Sequence, residues 1–379
     1  MSEKTKIKIC FLGDTAACHL WRWAKYFSHR GHDVSVITLN PQIIDDFGKV
    51  KVYFLKKVIP GTNLISRTLN LIPTLLRLKK LIKEIKPNVI HSHSAGGYAW
   101  LPMFLGLHPF VITPWGNDIL IPGYQSMVER FFTKLAFKKA DLITCDGENT
   151  RQIMINLGVP CKKIRFITFG VDIRKFKRNP KDEKLKNALG AANSKIVINT
   201  RFLTEIHDVQ TLITAIPLVL KEFTKVKFVI VGDGPQKESL MNLTKNLGVS
   251  DATKFVGQIS EEKMALYLNT ADVYISCSLS ESGLAASTAE AMACELPIIN
   301  TNTGDIKLWI KNGKGGFIVP TKAPKILAEK IIYLLKNDKT NIEFGKINRK
   351  IIEQRNNYYK EMAKMEKIYQ ELTENKYEK

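Results

Sequence analysis

The chain has 379 residues, 45% of them hydrophobic, and carries 57 Lys+Arg against 36 Asp+Glu. That apolar content fills two ordinary cores and little more. The six cysteines are scattered with no CxxC pair, and the opening MSEKTKIKICFLG has too short an apolar run for a signal peptide. These features exclude a secreted disulfide scaffold and point to a reduced, cytoplasmic setting. The most apolar window, Tyr98 to Thr113, is broken by Pro102, His108 and Pro109 and is too short to span a bilayer, so no transmembrane helix is expected.

Charge is distributed unevenly. Residues 1–190 hold 31 basic against 14 acidic side chains, residues 191–379 hold 26 against 22, and the stretch 51–100 holds nine against one. A one-sided field of this kind suits an anionic partner: a membrane surface, a lipid phosphate or a nucleic acid. Nucleic acid is the weakest of the three, because no zinc-finger spacing or aromatic RNA-binding signature accompanies the charge.

In chain order, KIKICFLG reads as a first strand, followed by a helix over 19–30, the strands DVSVITL and VKVYFL, a helix over 67–86, and then NVIHSHS, PFVITPWG and DLITCDG. The 67–86 helix places Leu75, Leu78, Ile82 and Ile85 on one face and leaves Arg77, Lys79, Lys80, Lys83 and Lys86 for the others. It is either an ordinary covering helix or one whose basic flank meets anionic lipid. After a basic, Pro-containing stretch near 172–190 the alternation restarts with KIVINTR, a helix over 208–223, KFVIVGDG, a helix over 235–247, TKFVG, DVYISCS and PIINTN. Short apolar strands alternating with helices predict parallel sheets. The expected fold is therefore α/β, with two Rossmann-like domains facing across a cleft and a C-terminal helix crossing back to the first domain. The boundaries are an N-terminal domain over 1–175, a second domain over 176–350 and a helical tail over 351–379. Ligands of open α/β sheets bind beyond the carboxyl ends of the strands, so the loops there are where chemistry is expected.

The stretch Ser278 to Pro297, SLSESGLAASTAEAMACELP, joins a short apolar strand to a helix with almost no large side chains in its first turns. A helix from about Leu284 to Cys294 would aim its unpaired backbone N–H groups at the turn and hold a phosphate there. Glu290, roughly six residues in and about 9 Å along the axis, would meet sugar hydroxyls attached to that phosphate. The alternative is a helix that packs closely on a sheet with a solvated Glu290.

The segments VGDGP, LGV, KFVG, LYLNTADVYISCS, EAMACELPIINTNTGD and NGKGGFIVP, with NVIHSHS, TPWGND and FGVDIRKF earlier in the chain, resemble the retaining family-four glycosyltransferases (glycosyl transferases group 1), which have two Rossmann-like domains. The likeness covers nearly the whole chain. It implies transfer of a sugar from a nucleotide-diphosphate donor, with retention of anomeric configuration and with no metal or other cofactor. The chain has no Asp-x-Asp pair, so the leaving diphosphate would be stabilised by a helix dipole and a basic side chain.

The resemblance puts Arg201 on the donor diphosphate. A lysine usually follows five residues later, where this chain has Ile206; either His207 or a basic residue of the first domain substitutes, or the phosphate rests on fewer contacts and the donor binds more weakly. Glu290 matches the second acid of a Glu-x7-Glu pair, on the ribose hydroxyls. The first acid falls at Ser282, so either the loop bulges and brings Glu281 to the donor sugar, with Gly283 supplying the freedom, or the contact is absent. Backbone amides of Gly283, Leu284 and Ala285 complete the phosphate cradle. In the first domain the resemblance places His93 beside the transferred sugar, although alternation sends the rings of His91 and His93 to one face and makes a structural pair an equal reading. Asp118 of TPWGND is kept for the acceptor or for loop orientation, with Trp115 where histidine is common. Gly13 is where backbone approaches the donor phosphate, and Asp14 and His19 are weaker candidates.

Together these readings predict a nucleotide-sugar donor and a saccharide or lipid-linked saccharide acceptor of envelope polysaccharide or lipopolysaccharide assembly. The protein is expected to be cytoplasmic or peripheral on the membrane face. Two other classes remain open. One is a catalytically silent, sugar-nucleotide-binding subunit, in view of Ile206 and Ser282. The other is a nucleotide-sugar epimerase on the same scaffold or a Rossmann oxidoreductase, against which FLGDTAACH shows one glycine where a dinucleotide fingerprint needs three.

Overall fold

A computed structural model describes residues 6–40, 48–55, 64–115, 119 and 126–374. The chain forms two compact units, one comprising residues through Phe169 together with those from Lys360 on, the other running from Gly170 to Tyr359. Each is built on a seven-stranded sheet in which every ladder is parallel.

In the first unit the strands are β1 (Lys8–Leu12), β2 (Asp33–Thr38), β3 (Lys51–Phe54), β4 (Val89–Ser92), β5 (Phe110–Ile112), β6 (Leu142–Cys145) and β7 (Ile164–Phe166), arranged 3-2-1-4-5-6-7. The order reverses between β1 and β4, and the loops after these strands therefore open the crevice in which such sheets bind ligands. Helices Leu64–Ile85, Gly97–Phe104 and Met127–Lys139 share one core with Cys10, Leu12, Ile90, Ile112 and Ile143, so all three cover the same sheet face. Leu75, Leu78, Ile82 and Ile85 of the first of these helices pack into that core, as their spacing predicts. The opposite face meets helix Cys18–His29 and the C-terminal helix Tyr358–Glu374. The latter buries Met362, Met365, Ile368 and Tyr369, a 3-3-1 spacing that lines up one helical stripe.

The second unit repeats the pattern with β8 (Lys195–Asn199), β9 (Val226–Val231), β10 (Thr253–Gly257), β11 (Val273–Ser276), β12 (Ile298–Thr301), β13 (Lys311–Asn312) and β14 (Gly315–Val319), in the order 10-9-8-11-12-14-13. Val197 belongs to the core on one face and Ile196 and Ile198 to the core on the other. This two-sided burial explains why KIVIN reads as a continuous apolar run rather than an alternating one. The sequence reading left out β7, β13, β14 and several helices, among them Glu148–Asn156 and Pro324–Lys336.

The two chain segments at the edge of this unit are laced together. Val171 donates its N–H to Asn356 O, and Tyr358 donates to Val171 O. Gly170, at φ +77°, lies so close to Tyr358 that a β-carbon would come within 2.6 Å of its Cα. Only glycine fits there.

Candidate donor and acceptor sites

A cluster around Arg201 is assembled at the carboxyl end of the second sheet. Asn199, wholly buried at the end of β8, donates its side-chain amide to Ile275 O at 3.0 Å and accepts the Arg201 backbone N–H at 3.1 Å. That pair fixes the turn from which Arg201 departs. The following loop is pressed against VGDGP: β-carbons on Gly232 and Gly234 would lie 2.4 Å from the carbonyl oxygens of Arg201 and Leu203, and both glycines have positive φ. Leu203 N–H donates to Asp233 O at 2.9 Å. The glycines of this motif therefore serve close approach between two loops.

From this base the Arg201 guanidinium reaches three partners. It donates to Ser287 Oγ at 3.0 Å, to His207 Nδ1 at 3.1 Å and to a carboxylate oxygen of Glu281. Tyr274, fully buried, donates its hydroxyl to the same Ser287 Oγ at 2.9 Å. His207 accepts because it is neutral: burial, and then the Arg201 charge, push its pKa down to about 3. Ser278 Oγ also lies 3.3 Å from that ring nitrogen. The buried Nε–H of Arg201 has no acceptor among the described residues. A guanidinium in this setting has donors to spare for an anion.

The helix beside the cluster is Ala286–Ala293, with Ala285 in the N-cap position, so it starts two residues later than the expected Leu284. Its N-cap residue makes no side-chain cap hydrogen bond, so the first-turn amides are satisfied from elsewhere. Gly283, buried, accepts from Asp305 N–H at 3.4 Å, and Leu284 packs against the core beneath. Ser282 lies partly buried in the same loop, and Glu290 is the fifth residue of the helix, also partly buried. Gly304, at φ +53°, sits so near that a β-carbon would come within 2.8 Å of both Glu281 Cβ and Gly283 O. The 302–305 loop thus braces the 281–283 loop.

In the first unit the sites cluster at the ends of β1 and β4. Gly13 leaves room for His93: a β-carbon on it would lie 3.2 Å from His93 Cβ and 3.1 Å from Leu20. The rings of His91 and His93 lie on one face, centroids 4.6 Å apart, but their environments differ. His91 is hydrogen-bonded on both nitrogens, to Tyr369 Oη at 2.5 Å and Thr113 Oγ1 at 2.6 Å. Burial lowers its pKa to about 3. His93 is enclosed by Phe11, Trp23 and Trp115, with ring centroids 5.1, 5.0 and 5.6 Å away. Neither of its ring nitrogens has a partner among the described residues. Burial, reinforced by His91 and then His19, holds its pKa far below the ordinary histidine value. His19 stacks on Trp115 at 4.4 Å, and burial and then Arg22 bring its pKa to about 4. Asp14 accepts from Asn40 Nδ2 at 2.8 Å and from Ala16 N–H at 2.9 Å, shaping the loop after β1. Asp118 lies outside the described residues.

Sequence reasoning did not single out Ser287 and Tyr274 as the props of Arg201, nor Thr113 and Tyr369 as the partners of His91. The tyrosines carried a faint signal, each being an apolar-face residue with a hydroxyl that must find a partner when buried.

Two parallel Rossmann-like sheets, with a guanidinium beside a helix start at the end of one, make up a two-Rossmann α/β architecture. Residues 8–147 match the family described as glycosyl transferase 4-like, and residues 181–351 match glycosyl transferases group 1. The chain belongs to this group 1, family-four-like set of glycosyltransferases. Among curated relatives it is similar to the N-acetyl-alpha-D-glucosaminyl L-malate synthase of Bacillus anthracis, 24% identical over 92% of this chain and 91% of that protein. It is also similar to the GDP-mannose-dependent alpha-(1-6)-phosphatidylinositol monomannoside mannosyltransferase of Mycobacterium tuberculosis, 24% identical over 72% of this chain and 73% of that one. Its fold is shared with HepE from Anabaena, crystallised in complex with UDP, at a TM-score of 0.81 and 20% identity over 97% of this chain and 100% of that one.

Proposed function

We propose that the protein moves a sugar from a nucleoside-diphosphate sugar to a saccharide acceptor, lipid-linked and of cell-envelope polysaccharide or lipopolysaccharide assembly, with retention at the anomeric carbon. The observation that carries the donor side is the placement of Arg201, propped by Ser287 and Tyr274, beside a helix start whose N-cap residue makes no side-chain cap hydrogen bond. As the glycosidic bond breaks, negative charge grows on the diphosphate. In this reading the Arg201 guanidinium and the amides at the helix start receive it, so that no metal ion is called for. Glu281 is assigned to the donor sugar and Glu290 to the ribose hydroxyls, while Gly13, Ser282, Gly283, Leu284 and Ala285 provide close backbone approach. His93, neutral and with both ring nitrogens unspent in hydrogen bonds among the described residues, is assigned to the transferred sugar. Asp118 is assigned to the acceptor side.

A second reading, a silent sugar-nucleotide-binding subunit, draws support from the lodging of Glu281 on Arg201, the very cation that the diphosphate needs. One experiment separates the two. The protein is incubated with UDP- and GDP-sugars and a bacterial lipid extract, with and without EDTA, and the release of nucleoside diphosphate and the mass of the lipid product are followed. Sugar-dependent release that resists EDTA and is abolished in His93→Ala is the expected result. Binding of the nucleotides with no turnover on any acceptor favours the silent subunit, and no binding at all overturns both.

A further inference from the structure

The three helices on one face of the first sheet present an outer surface that the core does not explain. Helices Leu64–Ile85 and Met127–Lys139 flank the short helix Gly97–Phe104, and each of the two ends a few residues before the next parallel strand begins. Counting back from those ends at about 1.5 Å per residue, Ile72 and Met127 lie at nearly the same height, about 20 and 18 Å, as do Leu76 and Phe131, about 14 and 12 Å. All four are strongly exposed: Ile72 69%, Leu76 64%, Met127 90% and Phe131 62%, with Val128 at 61% beside them.

The exposure of Met127 and Val128 is imposed by local structure. Ser126 and Glu129 form a reciprocal capping box, Ser126 N–H donating to Glu129 Oε2 at 2.8 Å and Glu129 N–H to Ser126 Oγ at 3.3 Å. A box of this kind fixes the first turn, and side chains at its first two positions have no preceding turn to fold onto. Large apolar side chains held out in water at several matched positions mark a contact surface.

Charge identifies the occupant. Exposed Lys79, Lys80 and Lys83 flank the apolar row on one helix, and Arg130, Lys134 and Lys138 on the other. The two helices contain only two acids, Glu84 and Glu129, and Glu129 is engaged in the capping box. A second copy of the chain would bring like charges together across such a face. An anionic bilayer instead takes apolar side chains below its headgroups and cations among its phosphates.

We infer that this face, with Met127, Val128 and Phe131 as its inserted apolar edge, docks the protein on an anionic lipid surface. The inference deepens the functional reading by naming where the membrane is met, and its test leaves transfer chemistry aside.

Flotation with phosphatidylglycerol–phosphatidylcholine vesicles, against phosphatidylcholine alone and across a salt series, reads it directly. The wild-type protein floats with the anionic vesicles and less so as salt rises. M127S/V128S/F131S weakens the partition by more than about tenfold. K134A/K138A weakens it by roughly fivefold per lysine. Should the triple variant melt early, I72S/L76S tests the neighbouring ridge. A wild-type protein that ignores anionic vesicles, or variants that float unchanged, overturns the inference. So does a dimer in light scattering that the triple variant abolishes, since the face would then be a self-interface. Thermal shift with nucleoside diphosphates is expected to be the same in the variants and the wild type. If vesicles bind but no nucleotide does, the transferase reading fails while the docking face stands.

Discussion

Replacing Arg201 by alanine separates a structural guanidinium from one that serves the donor. The side chains of Arg201 and Glu281 are only 11% and 15% exposed, so removal of the cation leaves a carboxylate in a poorly solvated place and empties the acceptors Ser287 Oγ and His207 Nδ1. Breaking such a pair costs about 2–3 kcal/mol, the solvent that still reaches it holding the figure below that of a wholly buried pair. For a unit of this size the loss corresponds to a fall of roughly 5–10 °C in melting temperature. Changing Glu281 to glutamine as well removes the stranded charge, so R201A/E281Q recovers part of the stability. Nucleotide affinity follows a different course. Charge-assisted hydrogen bonds to a diphosphate are worth about 1.5–3 kcal/mol, and R201A is expected to bind UDP or GDP about 10- to 150-fold more weakly. The double variant does not regain this affinity. E281Q alone binds the free nucleoside diphosphate more tightly than wild type, because the carboxylate no longer competes for the guanidinium. Calorimetric titration of the four proteins, paired with thermal melts, measures both quantities. If R201A loses stability but holds the nucleotide as tightly as wild type, the reasoning for the donor cluster is refuted.

Two further outcomes are expected. His91 and His93 are buried and neutral, the first with its pKa brought to about 3 and the second held far below the ordinary value by burial, whereas both titrate near 6.5 in an unfolded chain. Below pH 6.5 the unfolded state therefore takes up protons that the folded state refuses, and stability falls by about 1.4 kcal/mol per pH unit for each ring, roughly 2.7 for the pair. The loss is absent at higher pH, and denaturant melts between pH 5 and 8 in which H93N leaves the slope unchanged would contradict it. The Gly304→Ala variant places a β-carbon within 2.8 Å of Glu281 Cβ and Gly283 O at a left-handed backbone position. It is expected to cost about 2–4 kcal/mol and to weaken nucleotide binding by displacing the 281–283 loop; an alanine variant as stable as wild type removes the bracing role given to that glycine.

The sheets were legible because parallel strands buried on both faces leave short, unbroken apolar runs such as KICFL and KIVIN, with helix-period segments between them. The shortest elements were not: β13 is two residues long and β7 exposes two of its three, too little pattern for periodicity to register. The helix after β11 was placed early because its N-cap is Ala285, a residue that gives no capping signal, and the small residues before it suit helix and turn alike. Arg201, Glu281 and His207 could be picked out singly as charged or titratable residues after strands. Their convergence depends on the contacts of Arg201 with Ser287 and Glu281 and of His207 with Ser278, 71 to 86 residues apart in sequence, which no local spacing encodes. The contrast between His91 and His93 was equally hidden, since alternation puts both rings on one face and only the arrival of Tyr369, 278 residues away, decides which of them is saturated.

That tyrosine has a consequence for how the protein is made. Residues Gly170 to Tyr359 form a contiguous unit, whereas the first unit is finished by residues from Lys360 on, after the second has been synthesised. His91 waits for 278 further residues before its partner emerges, and Met362, Met365 and Ile368 must arrive in the same stripe to seal that face. Order of synthesis and order of completion are thus reversed for the two halves. Until those residues arrive, the aromatic and histidine lining of that sheet face lacks its cover, and uncovered apolar surface of this kind is prone to aggregate.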